Sequence, residues 1–371
     1  MNRILAKTNV YTQRTLTNVQ FGAVLMTALL GVGVLNLPRT MTVNMNTADG
    51  WISVIIAGVA VSLIFLFNVF AFKSHHVDSI DVYMERAFGK WVSNFLCIVI
   101  ATYFLVQSSW QVVAMSEMIR YFLLEETPYY VVIGMIVILS AYAVFYPFAT
   151  VVRICCFFLP ISLIVLLLIL GLSAEEVDMY RLRPIAPEGF WPIFANVKEA
   201  LQAFQGAEIM LLILAFLRTG TKPKKSGVLA FSTITVIYML IYGIVVSSLG
   251  VAEVKTLVWP TIALTQAAES GAFFSGRLNS LLISTWTLQF FTTIVIALFA
   301  TVHLLDKRLP IRRGYLLLVC AILVFAIGIL PQTFYQITMI GNWEQYAFLT
   351  IFAVLPFLCY LTVAIKKKVK A

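Results

Sequence analysis

The sequence predicts an all-α membrane protein of ten transmembrane helices, arranged as a five-plus-five inverted repeat with helices 1 and 6 broken. Three observations predict it. The 371 residues are 61% hydrophobic and 12% charged, with a mean hydropathy of +0.94; a soluble domain carries roughly twice that charged fraction. Apolar runs of about 20 residues, the length that crosses a bilayer as a helix, recur along the chain. Two of those runs are interrupted by glycine, at Gly31-Val32-Gly33 and at Gly206. Membrane strands would read as short alternating segments instead.

Taken in order, the apolar windows between charge clusters place spans at about 18–46 (broken), 50–72, 91–123, 128–147, 150–172, 191–217 (broken), 226–250, 278–305, 312–330 and 344–365. Pro128 and Pro331 fall at boundaries, and Trp51, Trp91, Trp191 and Trp343 stand near span ends, where amphipathic rings suit the interface. The chain reads as a single transporter-like domain, with repeat one over about 16–172 and repeat two over about 191–366. Five spans per half, an odd number, invert the second half in the membrane, and both halves open on a glycine-broken helix.

Charge gives the orientation. With the N-terminus in the cytoplasm, 19 of the 26 Lys and Arg fall on the inner side, in clusters such as Arg218/Lys222/Lys224/Lys225 and Lys307/Arg308/Arg312/Arg313. That is the positive-inside pattern, and it puts both termini in the cytoplasm. The net charge of +9 then faces anionic lipid and does not indicate nucleic acid. The first apolar run is longer than a signal core, so span 1 is expected to stay in place. Two long outer connections, Ser173–Pro192 and Val251–Arg277, read either as a lid or as interfacial helices.

Four constellations carry candidate chemistry. In Gly31-Val32-Gly33, glycine frees the backbone from helical angles, and unwinding exposes amides and carbonyls that suit both ends of a zwitterion; close helix packing is the alternative. In Phe204-Gln205-Gly206-Ala207-Glu208, Glu208 is the only charged residue of Ala200–Leu217. An acid in hydrocarbon is costly, so Glu208 is expected to face a solute, accepting an ammonium or holding a proton; a structural pairing is the alternative. On span 3, Tyr103, Gln107, Trp110, Gln111 and Glu117 share a stripe about 120° wide, beside Ser108, which must face the protein interior. Gln107, Ser108 and Gln111 are candidate ligand contacts, and Tyr103 and Glu117 a candidate proton or water path. On span 8, Gln289, Thr292 and Thr293 can touch a ligand, although membrane threonines more often bond their own helix carbonyls.

Other chemistries find little support. His75-His76 with Asp78 and Asp81 offers too few ligands for a metal site, and Ser74–Lys90 reads better as a cytoplasmic amphipathic connector. There is no phosphate-binding loop, and neither a cofactor nor catalytic residues are expected. The five cysteines all lie in apolar runs, as buried thiols do.

Several segments together resemble the B subunits of spore germinant receptors, a permease family within the amino acid–polyamine–organocation transporters. They are the Gly31-x-Gly33 break with Leu37-Pro38, the Phe88-Gly89-Lys90-Trp91 turn, Glu117 followed by Thr127-Pro128, Phe204-x-Gly206-x-Glu208, Trp259-Pro260, and Arg277-Leu278-Asn279 leading to Trp286. The resemblance implies the leucine-transporter type of fold. It implies a small-molecule germinant, commonly an amino acid, bound at the broken centres of helices 1 and 6, and A-type and lipoprotein C-type partner subunits in the spore inner membrane. It also implies pocket positions at Gly31–Gly33, near Gln107, at Gly206–Glu208 and at Thr292-Thr293. The chain departs from the family in lacking a proline in Leu211–Phe216 and in carrying Thr293 where lysine is frequent. A proton-coupled amino acid permease, or a water or ion path along the span 3 stripe, are the competing functions.

Overall fold

The computed structural model describes residues 15–31, 33–173, 177–269, 278–330 and 343–370. Among these residues the protein is helical, and its one β-type contact is a bridge between Leu16 and Leu217. Six helices are long and apolar enough to cross a membrane unaided: Gly50–Ser74, Lys90–Phe122, Phe148–Leu172, Pro223–Leu249, Asn279–Asp306 and Trp343–Lys367. They are spans 2, 3, 5, 7, 8 and 10. Two bent pairs make spans 1 and 6: Asn18–Leu29 with Gly33–Val43, turned by 51°, and Trp191–Gln202 with Ala207–Phe216, turned by 55°. The shorter apolar helices Tyr129–Phe145 and Arg313–Ile329 are spans 4 and 9. The protein is a multi-pass integral membrane protein, and the boundaries lie within a few residues of those read from the sequence. Spans 1 and 7 are among the exceptions, span 7 starting at Pro223 and not at 226. Span 1 ends at Val43, not at 46, because Asn44, Asn46 and Asp49-Gly50 favour turns over a further helical turn.

The centre is built by spans 3 and 8, which pack along each other, while span 7 packs on spans 1 and 2 and span 5 packs on spans 1 and 8. The broken spans meet at two levels. At the basic end, the Leu16 amide donates to the Phe216 carbonyl at 2.9 Å and the Arg218 amide to the Leu16 carbonyl at 3.1 Å. Nearby, Thr17 and Gln20 form a reciprocal capping box that starts span 1. The second level is at the breaks themselves.

The long connections are ordered where they are described. Val251–Thr256 and Pro260–Glu269 are short helices, and the Thr261 hydroxyl donates to the Val34 carbonyl at 3.0 Å, seating the second on the Gly33–Val43 half of span 1. The segment 270–277, with Arg277, lies outside the described residues. In the other connection, a single turn at Met179–Leu182 is held by the Asp178 amide on the Ser247 carbonyl at 3.3 Å. The stretch around Ser74–Lys90 contains the helix Ile80–Phe88, whose Asp81 pairs with Lys307 just beyond span 8 at 3.0 Å.

Candidate functional site

Breaking a helix inside a membrane leaves carbonyls without donors, and hydrocarbon supplies none. In span 1 the gap is filled by side chains of spans 7 and 8. The Thr27 carbonyl accepts from Gln289 Nε2 at 2.9 Å and from the Thr293 hydroxyl at 3.4 Å. The Gly31 carbonyl accepts from Trp286 Nε1 at 3.3 Å. The Tyr238 hydroxyl reaches both the Leu29 carbonyl and, at 2.9 Å, the Ala203 carbonyl of span 6, so one side chain ties the two breaks together. Val32 lies outside the described residues.

Span 6 unwinds over 203–206 and resumes as a tight turn at Ala207–Ile209. Gly206 is left-handed, with φ +104°, and a Cβ there would stand 2.2 Å from the Ala28 carbonyl oxygen. No other residue meets both conditions. The half-helices therefore touch backbone to backbone.

Glu208 follows that turn and is 1% exposed. Three donors converge on its carboxyl: the Gly206 amide on Oε2 at 2.9 Å, and the Tyr103 hydroxyl and Gln107 Nε2 on Oε1 at 2.8 and 3.2 Å. The acid thus faces span 3, and its other oxygen holds the Gly206 amide at the break.

Beside it is a cavity of about 60 Å³, bounded by Gly31, Gly33, Asn36 and Thr40 of span 1, Gln107, Trp110 and Gln111 of span 3, and Glu199, Gln202 and Gln205 of span 6. One water needs about 10–15 Å³ on this measure, so the space holds several waters or a small solute. Its wall carries three buried polar atoms without hydrogen-bond partners: Asn36 Oδ1, Gln111 Oε1 and Gln205 Nε2. Gly31 makes room for one of them, because a Cβ at that position would lie 2.8 Å from Gln111 Oε1.

Of the residues singled out in the sequence, Gly31, Gly33, Gln107 and Gln111 line this cavity. Glu208 stands one hydrogen bond behind Gln107, and Tyr103 donates to the same carboxyl oxygen. Phe204 packs edge-on against Tyr238. Ser108 and Thr292 bond carbonyls of their own helices, Leu105 at 2.8 Å and Gln289 at 2.7 Å, while Gln289 and Thr293 serve the span 1 break. Glu117 is elsewhere: its side chain is 45% exposed and its nearest ion-pair partner is Arg120, at 3.9 Å. Sequence reasoning missed Asn36, Thr40, Glu199, Gln202 and Tyr238. Asn36 and Gln202 had a usable signal, a polar amide next to a glycine break. Tyr238 had none, since a tyrosine in an apolar run also suits lipid.

The chain was compared with known proteins. The family model described as "Spore germination protein" matches residues 15–337. Spore germination protein A2 of Bacillus subtilis (strain 168) is 33% identical over 347 residues, covering 94% of this chain and 95% of its own. Spore germination protein B2 of the same organism is 27% identical over 364 residues, covering 96% and 97%. Among solved structures, MhsT in complex with L-phenylalanine superposes with a TM-score of 0.69 at 11% identity, covering 95% of this chain and 89% of that one. A substrate-bound, outward-open Na⁺-coupled sialic acid symporter gives 0.66 at 13% identity, covering 97% and 90%. These likenesses establish the fold as the leucine-transporter type. With the broken helices meeting at the centre and a family match over most of its length, the chain belongs to the spore germination permease family.

Proposed function

We propose that this protein is the germinant-sensing, B-type membrane subunit of a spore germination receptor, and that it binds a small zwitterion, an amino acid, in the cavity between the broken helices. One observation carries the reading: a solute-sized space at the break is walled by two unpaired acceptors, Asn36 Oδ1 and Gln111 Oε1, and one unpaired donor, Gln205 Nε2. An ammonium group matches the acceptors and a carboxylate the donor. Buried polar atoms left unpaired destabilise the empty state by about 1–3 kcal/mol each, so a ligand that pairs them gains specificity as well as affinity. In this reading the protein sits in the spore inner membrane with both termini and the basic clusters on the core side. A-type and lipoprotein C-type subunits read the state it adopts. Sensing requires that the ligand bind one arrangement of the two half-helix pairs better than the other.

The experiment is germination of spores carrying Gln111→Leu or Gln205→Leu, with protein abundance measured in parallel. The reading expects at least a tenfold higher amino acid concentration for half-maximal germination, equivalent to about 1.4 kcal/mol of lost binding. Unchanged sensitivity at normal abundance contradicts it. The hydrogen bond from cavity-lining Gln107 to the buried Glu208 carboxyl favours a second reading, a proton-coupled amino acid permease. Gradient-driven accumulation in proteoliposomes without partner subunits selects that reading; binding without accumulation selects sensing.

A further inference from the structure

A second acid lies in the protein interior. Glu344, at the start of span 10, is 3% exposed, and neither of its carboxyl oxygens has a hydrogen-bond partner among the described residues. Its helix is seated against span 6. Gln345 donates to the Lys198 carbonyl, and the π-helical turn Thr350–Val354 packs on the Ala207–Ile209 turn. From span 2, Asn68 Nδ2 holds the Phe352 carbonyl of that π turn at 2.8 Å. Glu344 is within electrostatic reach of Glu208 and of Tyr103. Among the described residues, the titratable groups within that reach are therefore one phenol and one carboxyl. Lys198 of span 6 directs its ammonium over the Tyr346 ring, 5.2 Å from the centroid, and makes no ion pair with Glu344.

The two acids have opposite surroundings. Glu208 accepts three hydrogen bonds, the environment that suits a carboxylate. Glu344 accepts none, and a charge without a donor or a cation is the most costly group to bury in a membrane. Two carboxyls in one low-dielectric site do not both ionise without a compensating positive charge. A metal cation fits poorly, because the groups facing Glu208 are N–H and O–H donors, not further oxygen ligands.

We propose that Glu344 is a proton-binding site: it carries a proton at neutral pH because its buried carboxyl has, among the described residues, neither a donor nor a cation to hold it as an anion. The site does not depend on the identity of the ligand. The proton sits on a carboxyl oxygen of Glu344, and its release leaves a buried anion with no partner among the described residues.

Infrared spectroscopy of the full-length protein in nanodiscs tests this directly. The wild-type protein at neutral pH should show a protonated-carboxyl C=O stretch that moves to lower frequency in D2O. Glu344→Gln should abolish that band. Glu208→Gln should keep it at a shifted frequency, because the field at Glu344 has changed. No such band in the wild type, or one that survives Glu344→Gln, overturns the proposal. So does a band present in choline buffer and lost in sodium, which assigns the site to a metal ion. Thermal melting gives a second readout. Glutamine is a neutral isostere of a protonated glutamate, so Glu344→Gln should melt within a few degrees of wild type. Failure of that variant to fold, when Glu208→Gln folds, contradicts a neutral Glu344.

Discussion

Tyr238 shows how much of this architecture hangs on single side chains. Its hydroxyl sits between the Leu29 and Ala203 carbonyls, each belonging to a different broken helix. Tyr238→Phe preserves the ring packing against Phe204 and removes only the donor. We expect a loss of about 1–3 kcal/mol, the cost of leaving buried carbonyls unsatisfied, seen as a lowered melting temperature in detergent. A variant as stable as wild type would mean that the breaks are held by other contacts. Glycines that break helices are legible in sequence, since Gly31, Gly33 and Gly206 each weaken an apolar helix at the point where they interrupt it. Donors that repair the break are not legible, because Tyr238 and Trp286 look like any apolar-span aromatic. Glu344 was hidden for a related reason: in Trp343-Glu344-Gln345 it reads as an ordinary helix-start acid at an interface, and only the fold turns it inward.

At the scale of elements, the helix Ile80–Phe88 is fastened to the end of span 8. Asp81 lies 3.0 Å from the Lys307 ammonium and accepts from the Ser79 hydroxyl, while Arg308 holds Asn94 of span 3 at 2.7 Å. Burial pushes the Asp81 carboxyl up, but Lys307 and the Ser79 hydrogen bond outweigh it and bring it below the usual carboxylate range. A carboxyl held lower in the folded state than in the unfolded one adds stability above its unfolded value, about 4, and that stability is lost as pH falls through the folded value. Between about pH 6 and about pH 3, the melting temperature of wild type should therefore fall more steeply than that of Asp81→Asn. At neutral pH the variant should be less stable by about 1–2 kcal/mol, a value between those of exposed and buried pairs, because Lys307 is 31% exposed. Parallel pH profiles would show that the pair does not form. The span 3 and span 8 stripes illustrate what a helical face can tell. Both point inward, as polar stripes in lipid must. Yet the stripe does not say which member meets a ligand: Gln111 reaches the cavity, Thr292 bonds a carbonyl of its own helix, and Glu117 is half-exposed beside Arg120.

For the whole molecule, the two broken spans are the organising event. They are joined at the basic end through Leu16 and Phe216, at the centre through Tyr238, and by the direct approach of Gly206 to Ala28. Ten spans and an inward-facing centre followed from run lengths and glycine positions, since a bilayer allows few other solutions. The composition of the cavity did not follow, because it depends on the rotation of spans 1, 3 and 6, which side-chain packing alone decides. The account's central claim is that this centre binds a small zwitterion through the polar atoms left unpaired around it. The direct measurement is the melting temperature of purified full-length protein against a panel of the common L-amino acids, with the Gln111→Leu/Gln205→Leu double variant alongside. At about a hundredfold excess over its dissociation constant a ligand adds about 2.7 kcal/mol of stability. The account predicts that at least one amino acid raises the wild-type melting temperature by several degrees and leaves the double variant unmoved; a panel that stabilises neither protein, or both equally, contradicts it.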